Sequence, residues 1–116
     1  MTTCIRGHEA EGEALSYLIE RGLTLVTRNY RAPCGEIDLI MRDLDCLVFI
    51  EVRFRKNDLF GGGLESVDYK KQRKLIKTAQ YYLGSCQKYD KISCRFDVVS
   101  IENSIEWIPD AFEMSD

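Results

Sequence analysis

Two acidic residues, Asp38 and Glu51, lie in neighbouring segments that a tight turn would bring side by side. Asp38 belongs to GEIDLIMR and Glu51 to CLVFIEVRF, and such alternating or continuous apolar patterns are typical of β-strands. The polar stretch 43–45 between them can turn. If the loop closes between Leu44 and Asp45, paired positions sum to 89, so that Asp38 lies directly opposite Glu51. Opposed Cα atoms of antiparallel strands are only about 4.5–5.5 Å apart.

Like charges placed opposite each other destabilise a sheet, so this pair needs a counter-charge. A divalent cation fits, because Mg²⁺ is commonly held by one or two carboxylates together with waters and a substrate phosphate. Since side chains alternate along a strand, Asp38 shares a face with Glu36. Glu51 shares a face with Arg53 and Arg55, and Arg53 would bind a phosphate there. The alternative is a solvated face that carries a Glu36–Arg53 ion pair.

The opposite face of this hairpin is apolar, and we expect it to supply core. Its expected members are Ile37, Leu39, Met41, Val48, Ile50, Val52 and Phe54.

Length and composition indicate one globular domain. A chain of 116 residues can bury a single modest core, and 45% hydrophobic and 30% charged residues are ordinary values. The chain has no apolar run long enough to span a membrane, and its N-terminus lacks the apolar segment of a signal peptide. We therefore expect a cytoplasmic protein without a membrane partner, with one domain over 1–116 and short frayed ends at about 1–6 and 110–116.

The cysteines and the single histidine argue against several kinds of site. None of the five cysteines forms a C-x-x-C pair, so we predict reduced, partly buried thiols rather than zinc ligands. His8 is the only histidine, so a Ser-His-Asp or Cys-His arrangement is not indicated. The cysteines are Cys4, Cys34, Cys46, Cys86 and Cys94.

The net charge of −3 conceals an uneven distribution. Residues 53–77 carry eight Lys or Arg against three acids, a balance of +5, and the rest of the chain carries −8. A basic segment beside an acidic cluster suits an enzyme that grips phosphates and holds a cation, and it equally suits a solvated helix face. The candidate nucleic-acid-binding residues are Arg55, Lys56, Lys70, Lys71, Arg73, Lys74 and Lys77.

The predicted elements follow the order helix, three strands, helix, two strands. We place helices over 7–21 and 66–83, and Gly22 after the first is a natural helix C-cap position. This order predicts an α/β or α+β fold in which helices flank a mixed five-stranded sheet. Besides the hairpin, the predicted strands are 23–31, 93–101 and 105–108.

Glu11 falls on or beside the apolar stripe of the first helix, because it precedes Leu15 and Leu18 by four and seven residues. A buried charge needs a partner. Glu11 is therefore either a carboxylate of the candidate site or, more commonly for such a position, a residue at the edge of the stripe that reaches water.

The pattern Asp38…Glu51-Val52-Arg53 resembles the PD-(D/E)XK signature of restriction endonucleases and archaeal Holliday-junction resolvases. The blocks GEIDLI and RFDVV resemble more closely the YraN-type proteins, small bacterial proteins predicted to be endonucleases. The resemblance covers nearly the whole chain. Its further matches include Gly7, Glu11, Ala14, Gly22, Asn29, Tyr30, Arg31, Phe60, Gly61 and the stretches 47–52 and 70–75.

The resemblance implies a restriction-endonuclease-like αβββαβ core and divalent-metal-dependent cleavage of DNA, with branched DNA as one candidate substrate. By carry-over, Glu11, Asp38 and Glu51 are the acidic residues of the site. Asp38, Glu51 and the Val52 carbonyl would hold Mg²⁺ or Mn²⁺. Nucleic acid is the implied partner.

The chain departs from the family pattern at one position, because Arg53 stands where the pattern Glu-x-Lys has lysine. A lysine can lose its proton and assist the attacking water, whereas arginine stays protonated in a protein. We expect Arg53 to bind phosphate or stabilise charge without acting as a base. Two alternatives remain: a catalytically weak or inactive nucleic-acid-binding module on the same fold, and a protein-interaction adaptor that uses a sheet edge or the loop 60–63.

Overall fold

The computed structural model describes residues 3–54, 67–85 and 92–114, with side chains of the first helix from Glu9 onward. The predicted order of helix, three strands, helix and two strands is confirmed. No helix in these ranges is long and apolar enough to span a membrane. The elements are α1 (Thr3–Glu20), β1 (Thr24–Ala32), β2 (Gly35–Asp43), β3 (Cys46–Phe54), α2 (Tyr69–Ser85), β4 (Ser93–Ile101) and β5 (Ile105–Phe112).

The five strands form one mixed sheet in the order β1-β2-β3-β4-β5. The β3–β4 pair is parallel, and the other neighbours are antiparallel. A parallel pair needs a crossover connection, and α2 lies within it. The fold is therefore the predicted α/β arrangement, a five-stranded mixed sheet flanked by two helices.

Each face of the sheet packs against one helix. The residues of β3 alternate between the two faces, and those at 47–51 are buried on both faces, which explains the continuous apolar run from Leu47 to Ile50. The α1 cluster contains Ala10, Ala14, Leu18, Leu23, Leu39, Met41, Val48, Ile50, Val99 and Ile101. The α2 cluster contains Ile37, Ile40, Leu47, Phe49, Val67, Leu75, Ala79, Tyr82, Phe96 and Val98.

Helix α1 ends at the predicted glycine. Gly22 has φ 102°, in the left-handed region, and its N–H donates to the Ile19 carbonyl at 3.0 Å. The Leu23 N–H donates to the Leu18 carbonyl at 3.1 Å, which completes a Schellman motif. Because Leu18 and Leu23 are both buried in the α1 cluster, the turn that leads into β1 is anchored to the core.

The β2–β3 hairpin has the predicted register. Its pairs run from Asp43–Cys46 to Leu39–Ile50, so paired positions sum to 89. The turn consists of Leu44 and Asp45, and Leu44 has φ 55° with 88% of its surface exposed.

One prediction about the faces of this hairpin is wrong. Ile37 was expected beside Leu39 and Met41, but it is buried in the α2 cluster, whereas the other two belong to the α1 cluster. The alternation of side chains in β2 is therefore interrupted next to Asp38.

The neighbouring strand β1 is interrupted at the same level. The Arg28 guanidinium approaches Glu11 of α1, whereas the Tyr30 ring packs edge-to-face on Tyr82 of α2 at 5.0 Å between centroids. Asn29 between them has φ 53°, a left-handed conformation that Asn adopts more readily than most residues. The backbone rotation at Asn29 places Arg28 and Tyr30 on opposite faces of the sheet, whereas residues two apart in a regular strand share a face.

The ends of several elements differ from their predicted bounds. Helix α1 begins at Thr3, and α2 begins at Tyr69 rather than 66. Strand β5 continues to Phe112, so it includes residues that were predicted to lie in a tail. Pro109 is tolerated because β5 is an edge strand, where one side of the backbone needs no ladder partner.

The cysteines whose side chains are described carry free, partly buried thiols. They are Cys34, Cys46 and Cys94. The side chains of Cys4 and Cys86 lie outside the described residues.

Candidate functional site

Asp38 lies where the β2–β3 ladder ends. The paired register stops at Leu39–Ile50, and beyond it the Asp38 carboxylate accepts a hydrogen bond from the Val52 N–H at 2.8 Å. The bond ties the Asp38 side chain to the segment that carries Glu51. Sequence reasoning predicted this approach of the two acids from the register.

Three acidic residues converge on Asp38. Burial raises its pKa from 3.8 to about 8, and the negative charge of Glu51 is the next cause. The Val52 N–H bond lowers the pKa, and the charges of Glu11 and Glu36 raise it. The ionised form of Asp38 is therefore unfavourable in the folded chain unless a positive charge approaches it.

Glu51 is buried, with 6% of its surface exposed, so the predicted alternative of a solvated acidic face is wrong for this residue. Its register partner in β4 is Val98, a member of the α2 cluster, which places Glu51 on the α2 face. Glu51 Oε2 lies 3.4 Å from Arg53 Nη1 and 3.3 Å from Lys71 Nζ. Two positively charged side chains therefore form ion pairs with the Glu51 carboxylate.

Glu11 approaches the site from α1. Its Oε1 is buried and has no hydrogen-bond partner among the described residues, and Arg28 Nη2 lies 4.0 Å away. This separation is too long for a hydrogen bond. A buried polar atom without a partner calls for a water or an ion beside it. The Oε1 atom does not reach bulk water, contrary to the commoner alternative for this position.

Glu36 differs from the other three acids because its carboxylate is exposed. Its Oε2 forms an exposed ion pair with Arg31 Nε at 3.0 Å. It shares no described ion pair with Arg53, which lies against Glu51 instead.

The acids fit a two-carboxylate ion site rather than a larger cage. Among the described side chains, which are those of residues 9–54, 67–85 and 92–114, no three His, Cys, Asp or Glu lie close enough together to hold one ion. Asp38 and Glu51 supply the one or two carboxylates that Mg²⁺ commonly uses. A bound cation would offset the repulsion between Asp38 and Glu51. One of its waters could donate the hydrogen bond that Glu11 Oε1 lacks among the described residues.

A basic cleft of ≈ 270 Å³ adjoins Glu51. Asp68 caps α2 at this point, because its Oδ1 accepts the Lys71 N–H at 2.8 Å. The first turns of α2 therefore present lysine side chains to the cleft, together with the positive end of the helix dipole. The lining residues are Arg53, Asp68, Lys70, Lys71 and Lys74.

Of the remaining predicted phosphate-binding residues, the two that the structure describes, Arg73 and Lys77, do not line this cleft. Arg73 extends over the exposed Tyr69 ring, and its Nη1 donates to the Tyr69 hydroxyl at 3.1 Å. Lys77 is exposed and does not line the cleft. Arg55 and Lys56 lie outside the described residues.

Comparison with known proteins places the chain in a family. Residues 10–101 match the sequence profile of a family described as "Uncharacterised protein family UPF0102". The chain belongs to the UPF0102 family. The matched span contains Glu11, Asp38, Glu51, Arg53 and Lys71.

Full-length relatives agree with this assignment. A UPF0102 protein of Legionella pneumophila (strain Corby) is 50% identical over 111 residues, covering 93% of this chain and 94% of the relative. One from Psychromonas ingrahamii is also 50% identical, covering 93% and 89%. One from Stutzerimonas stutzeri is 47% identical, covering 92% and 93%.

This UPF0102 chain also contains a polar network that the sequence did not predict. Asp97, only 1% exposed, accepts hydrogen bonds from Arg95, from Trp107 Nε1 at 2.9 Å and from the Asp110 N–H at 2.9 Å. Arg95 Nη1 also contacts Asp43 Oδ2 at 3.0 Å. The network ties β4 to β5 and to the hairpin, and its carboxylate is fully occupied, so we assign it a structural role.

Lys71 is the site residue whose position sequence reasoning missed. It was predicted to grip a nucleic-acid backbone, but its ammonium lies against Glu51 as well as in the cleft. The nineteen residues between Glu51 and Lys71 give no local signal for this contact. It arises because α2 crosses back over the sheet onto the end of β3.

Proposed function

We propose that this UPF0102 protein is a divalent-metal-dependent nuclease that hydrolyses phosphodiester bonds in DNA, as its resemblance to YraN-type proteins implies. The observation that carries the proposal is the meeting of two carboxylates, the half-buried Asp38 and the buried Glu51, beside a cleft lined with basic residues. A nuclease needs a cation site and an anion site next to each other, since the cation must act on a phosphate. The proposal places the protein in the cytoplasm.

The carboxylates would hold the ion. Asp38 is oriented by the Val52 N–H, and Glu51 by Arg53 and Lys71. A divalent ion bound there would polarise a phosphoryl oxygen and lower the pKa of a bound water. Glu11 would orient the attacking water or a second ion, because its buried Oε1 can accept a hydrogen bond.

The cleft would hold the substrate. Lysine and arginine side chains bind backbone phosphates whatever the base sequence, and helix N-termini also favour anions. Lys70 and Lys74 line the cleft, and Arg53 both lines it and lies against Glu51. Arg53 would therefore bind the phosphate that is cleaved, and the two lysines would bind its neighbours.

Cleavage of a panel of DNA substrates tests the proposal. Linear duplex, flapped and four-way DNA are incubated with the protein and Mn²⁺, in parallel with EDTA. We expect cleavage that requires the ion and that Asp38→Asn abolishes. If the variant cleaves as fast as the wild type, the activity does not arise from this site.

A catalytically inactive DNA-binding module is the second candidate. The observation that favours it is the double neutralisation of Glu51 by Arg53 and Lys71, which leaves less negative charge to attract an ion. Such a module would bind the same DNA panel in EDTA, with an affinity that falls steeply as salt increases. Binding without cleavage at any Mn²⁺ concentration would favour this function over the nuclease.

A further inference from the structure

Glu51 is held by cations from two different elements. Arg53 Nη1 lies 3.4 Å from Glu51 Oε2 and belongs to the same strand. Lys71 Nζ lies 3.3 Å from the same oxygen and comes from α2. Within the described part of the chain, these two residues form the ion pairs of Glu51. One buried carboxylate oxygen thus carries two positive groups, where the proposed ion would also bind.

Lys71 differs from Arg53 in its freedom to move. A lysine carries a compact charge on a flexible four-carbon stem, whereas the planar guanidinium of arginine is rigid. The Lys71 side chain is 42% exposed and lines the basic cleft, although its ammonium lies on the buried Glu51. Rotation about its side-chain bonds would carry the charge from Glu51 into the cleft without movement of the backbone.

We infer that Lys71 is an exchangeable cation: its ammonium replaces the divalent ion on Glu51 in the ion-free protein and moves to a phosphate of bound DNA when the ion binds. The inference rests on the proposed function. Its physical reason is that a buried carboxylate needs a positive partner, and either the lysine or the ion can be that partner. Ion binding and DNA binding then strengthen each other, and the coupling is reciprocal.

The affinity for Mn²⁺ without DNA is the first measurement. In Lys71→Met the ion no longer competes with the ammonium, so calorimetric titration should show Mn²⁺ binding about tenfold tighter than in wild type, equivalent to ~1.4 kcal/mol. Lys74→Met is the matched control, because it removes the same charge from the same cleft. Its affinity for Mn²⁺ should change by no more than about threefold, since its charge acts only at longer range.

The affinity for DNA with and without the ion is the second measurement. The probe is a fluorescein-labelled four-way DNA junction with phosphorothioate linkages, which keep the backbone charge and resist cleavage. In EDTA, Lys71→Met should weaken binding to the junction by no more than about threefold, because Lys71 is engaged by Glu51 and its charge acts on the DNA only at longer range. In Mn²⁺ it should bind about tenfold more weakly and lack about one unit of the wild-type salt slope. Lys74→Met should weaken binding equally in both conditions.

The outcomes separate the inference from the proposed function. If Lys71→Met and Lys74→Met behave alike in both measurements, the exchange does not occur, although the nuclease proposal stands. If wild type binds neither Mn²⁺ nor the junction, both fail. Thermal melting establishes that each variant is folded, and Lys71→Gln replaces the Met variant if that one is unfolded.

Discussion

Asp38 is a carboxylate whose ionisation opposes folding. Burial and the charge of Glu51 raise its pKa from 3.8 to about 8. Between those pH values, the folded chain keeps a proton that the unfolded chain has released. The stability contributed by neutral Asp38 is therefore fully present below about pH 4 and is lost as the pH rises toward 8.

We expect Asp38→Asn to raise the melting temperature in EDTA above about pH 8 by several degrees, and to leave it nearly unchanged near pH 4. Asparagine cannot ionise, yet its amide oxygen can still accept the Val52 N–H bond. Scanning calorimetry of both proteins over a pH series measures the difference. Added Mn²⁺ should stabilise wild type at high pH by mass action, and should not stabilise the variant. A difference that does not vary with pH would contradict the raised pKa.

Arg53 supplies positive charge to the site but cannot act as a base, because its guanidinium stays protonated in a protein. It lies against Glu51 and lines the cleft, which suits a residue that binds phosphate. A lysine at this position would bind phosphate and could also accept a proton from the attacking water.

Arg53→Lys should therefore increase the rate of DNA cleavage, by up to the ~10²–10⁴ that general-base assistance contributes, with a steeper rise toward alkaline pH. Single-turnover cleavage in Mn²⁺ measures the rate. Arg53→Ala is the control for loss of charge beside Glu51, and its Mn²⁺ affinity is measured in parallel. A wild-type rate equal to that of the lysine variant would show that arginine is a fully competent member of the site.

At the scale of elements, α2 is held against the hairpin at a point where no side chain fits. Gly35, the first residue of β2, has φ 157°, and a Cβ there would lie 2.8 Å from Thr78 Oγ1. Thr78 is fully buried, and its hydroxyl donates to the Lys74 carbonyl at 2.8 Å. Because Lys71 and Lys74 belong to the same helix, this contact positions the basic cleft relative to the acids.

Gly35→Ala should lower the free energy of unfolding by about 1–3 kcal/mol, because the added methyl overpacks a buried contact. Gly12→Ala is the matched control, since no atom lies within 4 Å of its Cβ position in the interior of α1. It should stabilise the protein by up to about 1 kcal/mol through helix propensity. Urea denaturation measures both. Similar effects of the two substitutions would contradict the tight packing at Gly35.

At the scale of the whole molecule, the site is an assembly of distant segments. Glu11 comes from α1 on one face of the sheet, Asp38 and Glu51 from the end of the hairpin, and Lys71 from α2 on the other face. At this site, basic residues from the segment 53–77 lie beside acidic residues from the rest of the chain. A net charge of −3 therefore coexists with a locally basic cleft.

Local patterns determined much of this protein. Alternation with a period of two, together with the short polar turn, predicted the β2–β3 register that brings Asp38 to Glu51. The glycine after a helical stripe predicted the C-cap at Gly22. Both succeed because the physical cause lies within a few residues of the effect. Glu11 was placed beside the helix stripe for the same reason, although its two alternatives could not be separated.

Only the tertiary structure decided the rest. Ile37 packs on the opposite face from Leu39 because β1 and β2 are both interrupted beside Asn29, which adopts a left-handed conformation that no local pattern required. Lys71 reaches Glu51 because α2 crosses back over the sheet. Glu11 Oε1 is buried from solvent because α1, which carries it, packs against the other face. Such contacts depend on how complete elements pack, since burial and charge at one atom are set by residues far away in the chain.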